Sequence, residues 1–246
     1  LMNELGVNAA VSKLDDFGIP YNEADKNLGL ALGAFDDGGV SPLQMASAYS
    51  AFANGGVRSE GQYITRIEDQ QGNIVVEEQE PVQNQTVSEE VADEMTSILM
   101  SVYDEGGTGS TMEPEGYEIA GKTGSAESEN FSSGNKDEWD IAYTPDVVIA
   151  TWFGFDDTDE DTYLWYQSEG SSKLAFSDIL EGILNASPGT ELTVQSAYDE
   201  YNQIQSEEAA ASEESSSEES TFDSESTGGS VFDSVQEFFQ GLFGGQ

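Results

Sequence analysis

The sequence contains neither histidine nor cysteine. Without histidine there is no Ser-His-Asp triad and no imidazole metal site. Without cysteine there are no disulfides, thiol nucleophiles or thiolate metal centres. Any acid–base chemistry therefore falls to lysine or to a carboxylate. Basic residues are scarce as well: seven Lys and Arg stand against 49 Asp and Glu, a formal net charge of −42. Nucleic acid is excluded as a partner, because phosphate contacts need clustered Lys and Arg. Attraction to anionic lipid is disfavoured for the same reason. No run of 18 apolar residues occurs, so no segment reads as a membrane-spanning helix. No secretory leader is visible either. The chain opens Leu1-Met2-Asn3-Glu4-Leu5, inside what reads as a helix, and this start is expected to be a truncation point.

The acidity is not confined to one end. From Pro188 onward there are 13 acidic residues and no basic one, which leaves the first 187 residues with 36 acidic, seven basic and a net charge of −29. Repulsion on this scale opposes a compact state and is relieved by screening. A source living in high salt is expected, with alkaline surroundings as the second option. Melting temperature should rise with added salt; no gain would refute this reading.

The pattern along the chain alternates helices with an antiparallel run of strands. Asn8 to Phe17 reads as a helix capped by Asn8 and stopped at Gly18. Leu28 to Ala34 reads as an extended, buried stretch. Ser41-Pro42 is a helix start, with Leu43, Met45, Ala46, Tyr49, Phe52 and Ala53 as its apolar face and Asn54-Gly55-Gly56 as its end. Tyr63 to Glu68 and Ile74 to Glu77 read as a hairpin. Ser88 opens a second clear helix, with Val91, Met95, Ile98, Leu99 and Val102 at helical spacing, stopped by Gly106-Gly107-Thr108-Gly109. Three strands follow, Tyr117 to Ala126, Trp139 to Tyr143 and Asp146 to Phe155, with a polar loop from Glu127 to Glu138. A helix from Ser172 to Leu184 is expected to turn Leu174, Phe176, Ile179, Leu180 and Ile183 inward. This order gives an α+β fold, not a doubly wound sheet.

Three segments are expected: a domain over 1–187, an acidic linker over 188–230 and a short amphipathic segment over 231–246. Ser206 to Ser230 holds nine serines, eight acidic residues and one aromatic, too little apolar area to fold. Val231, Phe232, Val235, Phe238, Phe239, Leu242 and Phe243 share one helical face. That face could meet a partner or a membrane interface, the latter disfavoured by the lack of any basic residue, although a mostly disordered tail is the favoured reading.

Chemistry concentrates at Gly121-Lys122-Thr123-Gly124-Ser125, reached from Glu118-Ile119-Ala120. Lys-Thr-Gly on a strand is the third signature element of serine acyl-transfer enzymes. The blocks around it strengthen the match. Ser41 to Gly56, Gly107-Thr108-Gly109, Trp139 to Pro145 and Thr151-Trp152-Phe153-Gly154 together resemble penicillin-binding protein transpeptidase domains. The resemblance runs from Leu1 to about Ser187 and is greatest to the bifunctional class A type of Gram-positive bacteria. It implies the C-terminal part of the serine β-lactamase/transpeptidase-like fold, an antiparallel sheet flanked by helices.

The resemblance further implies a peptidoglycan D,D-transpeptidase that acylates a serine with a stem peptide ending in D-Ala-D-Ala. The same serine would take β-lactams. Lys122 would be the catalytic cation, aiding proton transfer and attracting the substrate carboxylate. Thr123 would hydrogen-bond that carboxylate. Gly124 would leave room for substrate along the strand edge, and Ser125 would lend a backbone N–H to the oxyanion hole. No cofactor is implied. The protein would work on the outer face of the plasma membrane, anchored through residues upstream of Leu1, and its tail could meet cell-wall or cell-division partners. Alternatives are a D,D-carboxypeptidase or β-lactamase-like hydrolase, and a non-enzymatic cell-wall scaffold with a degenerate domain.

The family also needs Ser-x-x-Lys and Ser-x-Asn before Lys-Thr-Gly. Ser133-Gly134-Asn135-Lys136 matches the first pattern, while Ser128-Glu129-Asn130 and Ser133-Gly134-Asn135 match the second. All follow Lys-Thr-Gly within one polar loop, so they read as chance matches. The true elements are expected upstream of Leu1, leaving these residues inactive alone. Asp156 to Asp161 resembles the start of a calcium loop but lacks its glycine and its closing glutamate, so a solvated acidic loop is expected and no metal. Asn84-Gln85-Thr86, Asn130-Phe131-Ser132 and Asn185-Ala186-Ser187 match a glycosylation pattern that has no meaning in a bacterial source.

Overall fold

The computed structural model describes residues 2–35, 39–77, 80–127, 134–156, 162–165, 168–186 and 189–218. The chain divides into two units, residues 1–202 and 203–246.

The first unit is built on a long antiparallel sheet. Strand β5 (Ala120–Glu127) pairs with β6 (Gly134–Thr144) from Ala120 opposite Tyr143 to Glu127 opposite Asn135. β6 pairs in turn with β7 (Val147–Gly154) through the tight Pro145-Asp146 connection, and β8 (Leu164–Trp165) pairs with the start of β6. The polar loop expected over 127–138 is thus shorter, because β6 already begins at Gly134. The first of the three strands also starts later than expected, at Ala120.

Side chains alternate between the two sheet faces, and each face is covered by helix. Helices α3 (Pro42–Ala53) and α4 (Glu89–Met100) cover one. There Leu99, Met100, Ala120 and Tyr143 form a buried cluster, with Tyr49, Phe52 and Val148 packed against it. Both helices start as the sequence indicates. Ser41 and Gln44 form a reciprocal capping box, and the Ser88 hydroxyl accepts the Val91 N–H. Burial pushes the Tyr49 hydroxyl up to about 12 and raises that of Tyr143 as well. Thr96 Oγ1 lies 3.0 Å from the Tyr143 hydroxyl and donates to the Ala92 carbonyl. Tyr143 is therefore the donor of that pair.

Helix α5 (Ser168–Ala186) covers the other face, where Phe176, Leu180 and Leu184 pack with Tyr103, Met112, Ile119, Ala142 and Ile149. The inward positions are four residues apart. Leu174, two residues before the first of them, points out, 71% exposed, and Ile179 is 42% exposed, against the expectation that both face inward.

The periphery departs further from the sequence reading. Helices α1 (Met2–Leu5) and α2 (Val7–Phe17) open the chain. α2 begins one residue before the expected Asn8 cap, with Gly6 at the cap position, and ends as expected at Gly18, which is left-handed. Leu28–Leu32 is a 3₁₀ helix, not an extended buried stretch, with Leu32 90% exposed. Asn27 takes over its start by accepting the Gly29 N–H, so local side-chain capping wins over the apolar run. β1 (Val57–Ser59) pairs with β4 (Gln83–Gln85), and the hairpin of β2 (Ile67–Glu68) and β3 (Ile74–Val76) is shorter than its alternation suggested.

Helix α6 (Ala197–Glu218) closes the described chain. Its backbone is helical over Ser206–Glu218, where the sequence was read as unable to fold. Residues 219–230 of the linker, the 231–246 segment and residues 187 and 188 lie outside the described residues.

Candidate functional site

Lys122, Thr123, Gly124 and Ser125 lie in the middle of β5, an edge strand that pairs with β6 alone among the described residues. Strand alternation puts Lys122 on the face toward α3 and α4, and Thr123 and Ser125 on the face toward α5. The ammonium of Lys122 is exposed and donates to the backbone carbonyl of Thr123. The two glycines of the stretch have different reasons. A Cβ on Gly121 would stand 1.9 Å from the Ile141 carbonyl oxygen, so the fold itself forbids one. A Cβ on Gly124 would meet only Trp139 Cβ, at 3.4 Å, which is ordinary contact. The fold tolerates a side chain at 124, and the open strand edge gains by its absence.

Thr123 has a partner that the sequence reading did not assign to the site. Its hydroxyl lies 2.7 Å from the Thr108 hydroxyl. Thr108 stands on a loop clamped at both neighbours: a Cβ on Gly107 would be 2.3 Å from the Val102 carbonyl oxygen, and one on Gly109 would be 2.9 Å from the Tyr103 ring. The Gly109 N–H donates to the Val102 carbonyl at 2.8 Å. Tyr103, 2% exposed, anchors this loop to the sheet by donating its hydroxyl to the Ile141 carbonyl at 2.9 Å. Burial raises the Tyr103 hydroxyl far above its ordinary value, so it stays a donor. From α5, Lys173 Nζ donates to the Thr108 carbonyl at 3.0 Å. In the sequence only its rarity, as one of seven basic residues, marks Lys173.

The carboxylates near this edge are buried below it. Asp140 is the cross-strand partner of Thr123 and Glu138 that of Ser125, each 2% exposed. Asn135 Nδ2 donates to Glu138 Oε1 at 3.3 Å. The Ser-x-x-Lys match is split: Gly134, Asn135 and Lys136 belong to β6, and Ser133 lies outside the described residues. Lys136 thus stands on a strand, whereas a Ser-x-x-Lys pair in register needs a helix. The residues 128–130 and 157–161, with the Ser-x-Asn match and most of the acidic loop, also lie outside the described residues.

The transpeptidase model described as "Penicillin binding protein transpeptidase domain" matches residues 16–180, which take in α3, α4, the sheet and most of α5. The chain belongs to the penicillin-binding protein transpeptidase domain family. Penicillin-binding protein 2a of Streptococcus pneumoniae is 39% identical over 197 residues, 80% of this chain and 26% of that protein. Penicillin-binding protein 1F of Bacillus subtilis is 37% identical over 180 residues, 73% of this chain and 24% of that protein. The chain thus spans about a quarter of the length of these curated relatives. In three dimensions it resembles penicillin-binding protein 1A of Haemophilus influenzae, with TM-score 0.61, 22% identity, and coverage of 78% of this chain and 33% of that one. It also resembles the D,D-transpeptidase domain of a peptidoglycan glycosyltransferase from Eggerthella lenta, with TM-score 0.54, 24% identity, and coverage of 75% and 49%. The α+β architecture expected from the sequence, an antiparallel sheet flanked by helices, is the one these neighbours share.

Proposed function

We propose that this chain carries the Lys-Thr-Gly half of a peptidoglycan D,D-transpeptidase, whose serine nucleophile and lysine base come from residues outside it. The observation that carries this reading is the Lys122-Thr123-Gly124-Ser125 run, Lys122 and Ser125 exposed and Thr123 and Gly124 half-buried, on a strand edge open among the described residues, within a chain of the transpeptidase family.

The D-Ala-D-Ala end of a stem peptide would lie along β5 as an added strand, passing Gly124 where no side chain intrudes. Its carboxylate would accept a hydrogen bond from the Thr123 hydroxyl. Lys122 would turn its ammonium from the Thr123 carbonyl toward the reacting serine, favouring proton transfer there and attracting the anionic substrate. The backbone N–H of Ser125 would stabilise the oxyanion of the tetrahedral intermediate. The serine hydroxyl would add to the penultimate D-Ala carbonyl and expel terminal D-Ala, and an amine of a second stem peptide would then take the acyl group. β-Lactams would acylate the same serine. The site would face outward from the plasma membrane of a Gram-positive bacterium, with the anchor in other residues.

The test is labelling by a fluorescent penicillin of two polypeptides, these 246 residues alone and the same residues with their upstream coding sequence. The longer one should label and the shorter should not. In the longer one, Lys122→Ala should slow acylation roughly a hundredfold. Labelling of the shorter polypeptide, or none of the longer, would overturn the proposal.

A further inference from the structure

The proposed reading leaves open how Thr123 is kept pointing its proton outward. We propose that Thr108, held in place by Lys173, is a positioning residue that orients the Thr123 hydroxyl toward the substrate carboxylate. This rests on the reading of β5 as the carboxylate-binding strand.

A hydroxyl has one proton. With the two oxygens 2.7 Å apart, either Thr123 donates to Thr108 or Thr108 donates to Thr123. Only the second arrangement leaves the Thr123 proton for a ligand. A bound carboxylate, which accepts and cannot donate, selects it. The result is a chain in which Thr108 donates to Thr123 and Thr123 donates to the anion, each bond strengthening the next.

Such a chain works only if Thr108 cannot drift. Val102 and Tyr103 hold its loop from below through the two flanking glycines, and Tyr103 is fastened to the Ile141 carbonyl. Lys173 closes the loop from the α5 side by its bond to the Thr108 carbonyl. The charge matters too. Asp140 and Glu138 stand on this same sheet face, opposite Thr123 and Ser125, and would repel an incoming carboxylate. Lys122 projects to the other face, whereas Lys173 Nζ comes from α5 to the Thr108 carbonyl, beside Thr123. Its positive charge would favour the arrival of an anion at Thr123.

The experiment uses the longer polypeptide and measures acylation by benzylpenicillin and by its methyl ester, which lacks the anionic carboxylate. Thr108→Val should weaken initial binding of benzylpenicillin about tenfold with little change in the acylation step, and should leave the ester almost unaffected. Thr108→Ser should restore most of the loss. Lys173→Met should weaken the free acid about threefold and spare the ester. If Thr108→Val lowers the melting temperature sharply, Lys173→Met carries the test. Equal losses for acid and ester, or none in either variant, would overturn this inference while leaving the transpeptidase reading standing. A wild-type protein that fails to acylate would overturn both.

Discussion

Two antiparallel hairpins in this chain use similar strand-forming residues and reach opposite ends. The β5–β6 hairpin runs from Ala120 opposite Tyr143 to Glu127 opposite Asn135, and Ala120, Ile141, Ala142 and Tyr143 are buried. The β2–β3 hairpin pairs Ile67 with Val76 and Glu68 with Ile74, and Ile74, Val75 and Val76 are all exposed. Both contain isoleucine. The difference is cover: α3 and α4 lie on one face of the long hairpin and α5 on the other. A strand pair gains little from its own hydrogen bonds in water, and becomes rigid when helices exclude solvent from its faces. Rigidity where Thr123 and Ser125 sit is what the proposed oxyanion and carboxylate site would need.

Four substitutions would break or sharpen that contrast. The largest effect is expected from Gly121→Val. A side chain there meets a backbone carbonyl that cannot retreat without opening the β5–β6 ladder. Denaturant unfolding should show no cooperative transition, and a wild-type curve would mean that the two strands are not held as closely as described. Phe176→Ala removes the fully buried ring by which α5 covers the sheet and should cost about 3–5 kcal/mol by the same measurement. A loss under about 1 kcal/mol would show that α5 is a dispensable cover. Tyr103→Phe deletes the hydroxyl that ties the Thr108 loop to Ile141. It should cost about 1 kcal/mol in stability. Last, Val75→Thr on the exposed hairpin should change stability by less than about 0.5 kcal/mol. A larger change would reveal cover on that hairpin.

Much of the fold could be read in advance because its signals are local. Ser41-Pro42 and Ser88 announce helix starts by chemistry that involves only the next three or four residues, and both caps form. Lys122-Thr123-Gly124 stands on a strand, as the lead-in from Glu118-Ile119-Ala120 indicates. The misreadings come where a distant neighbour decides. Leu174 and Ile179 are as apolar as Phe176, yet only the rotation of α5 against the sheet determines which face is inside. Leu28 to Leu32 is the exception: the stretch is apolar and still curls into a 3₁₀ helix, because Asn27 caps it locally. In the site, Gly107-Thr108-Gly109 was visible only as a family marker. Its contact with Thr123 spans 15 residues, and that of Lys173 with Thr108 spans 65.

The sequence by itself determined the caps, the strands, the acidity and the presence of a lone Lys-Thr-Gly in a chain with almost no lysine. These depend on residue type and on spacing within one element. Only the tertiary structure decided that Gly121 is required by the fold while Gly124 is not, and that a second lysine reaches the Thr123 neighbourhood through Thr108. Those facts depend on the rotation and separation of packed elements. Such quantities are set by how whole side-chain surfaces interlock, and no periodicity along a single segment records them.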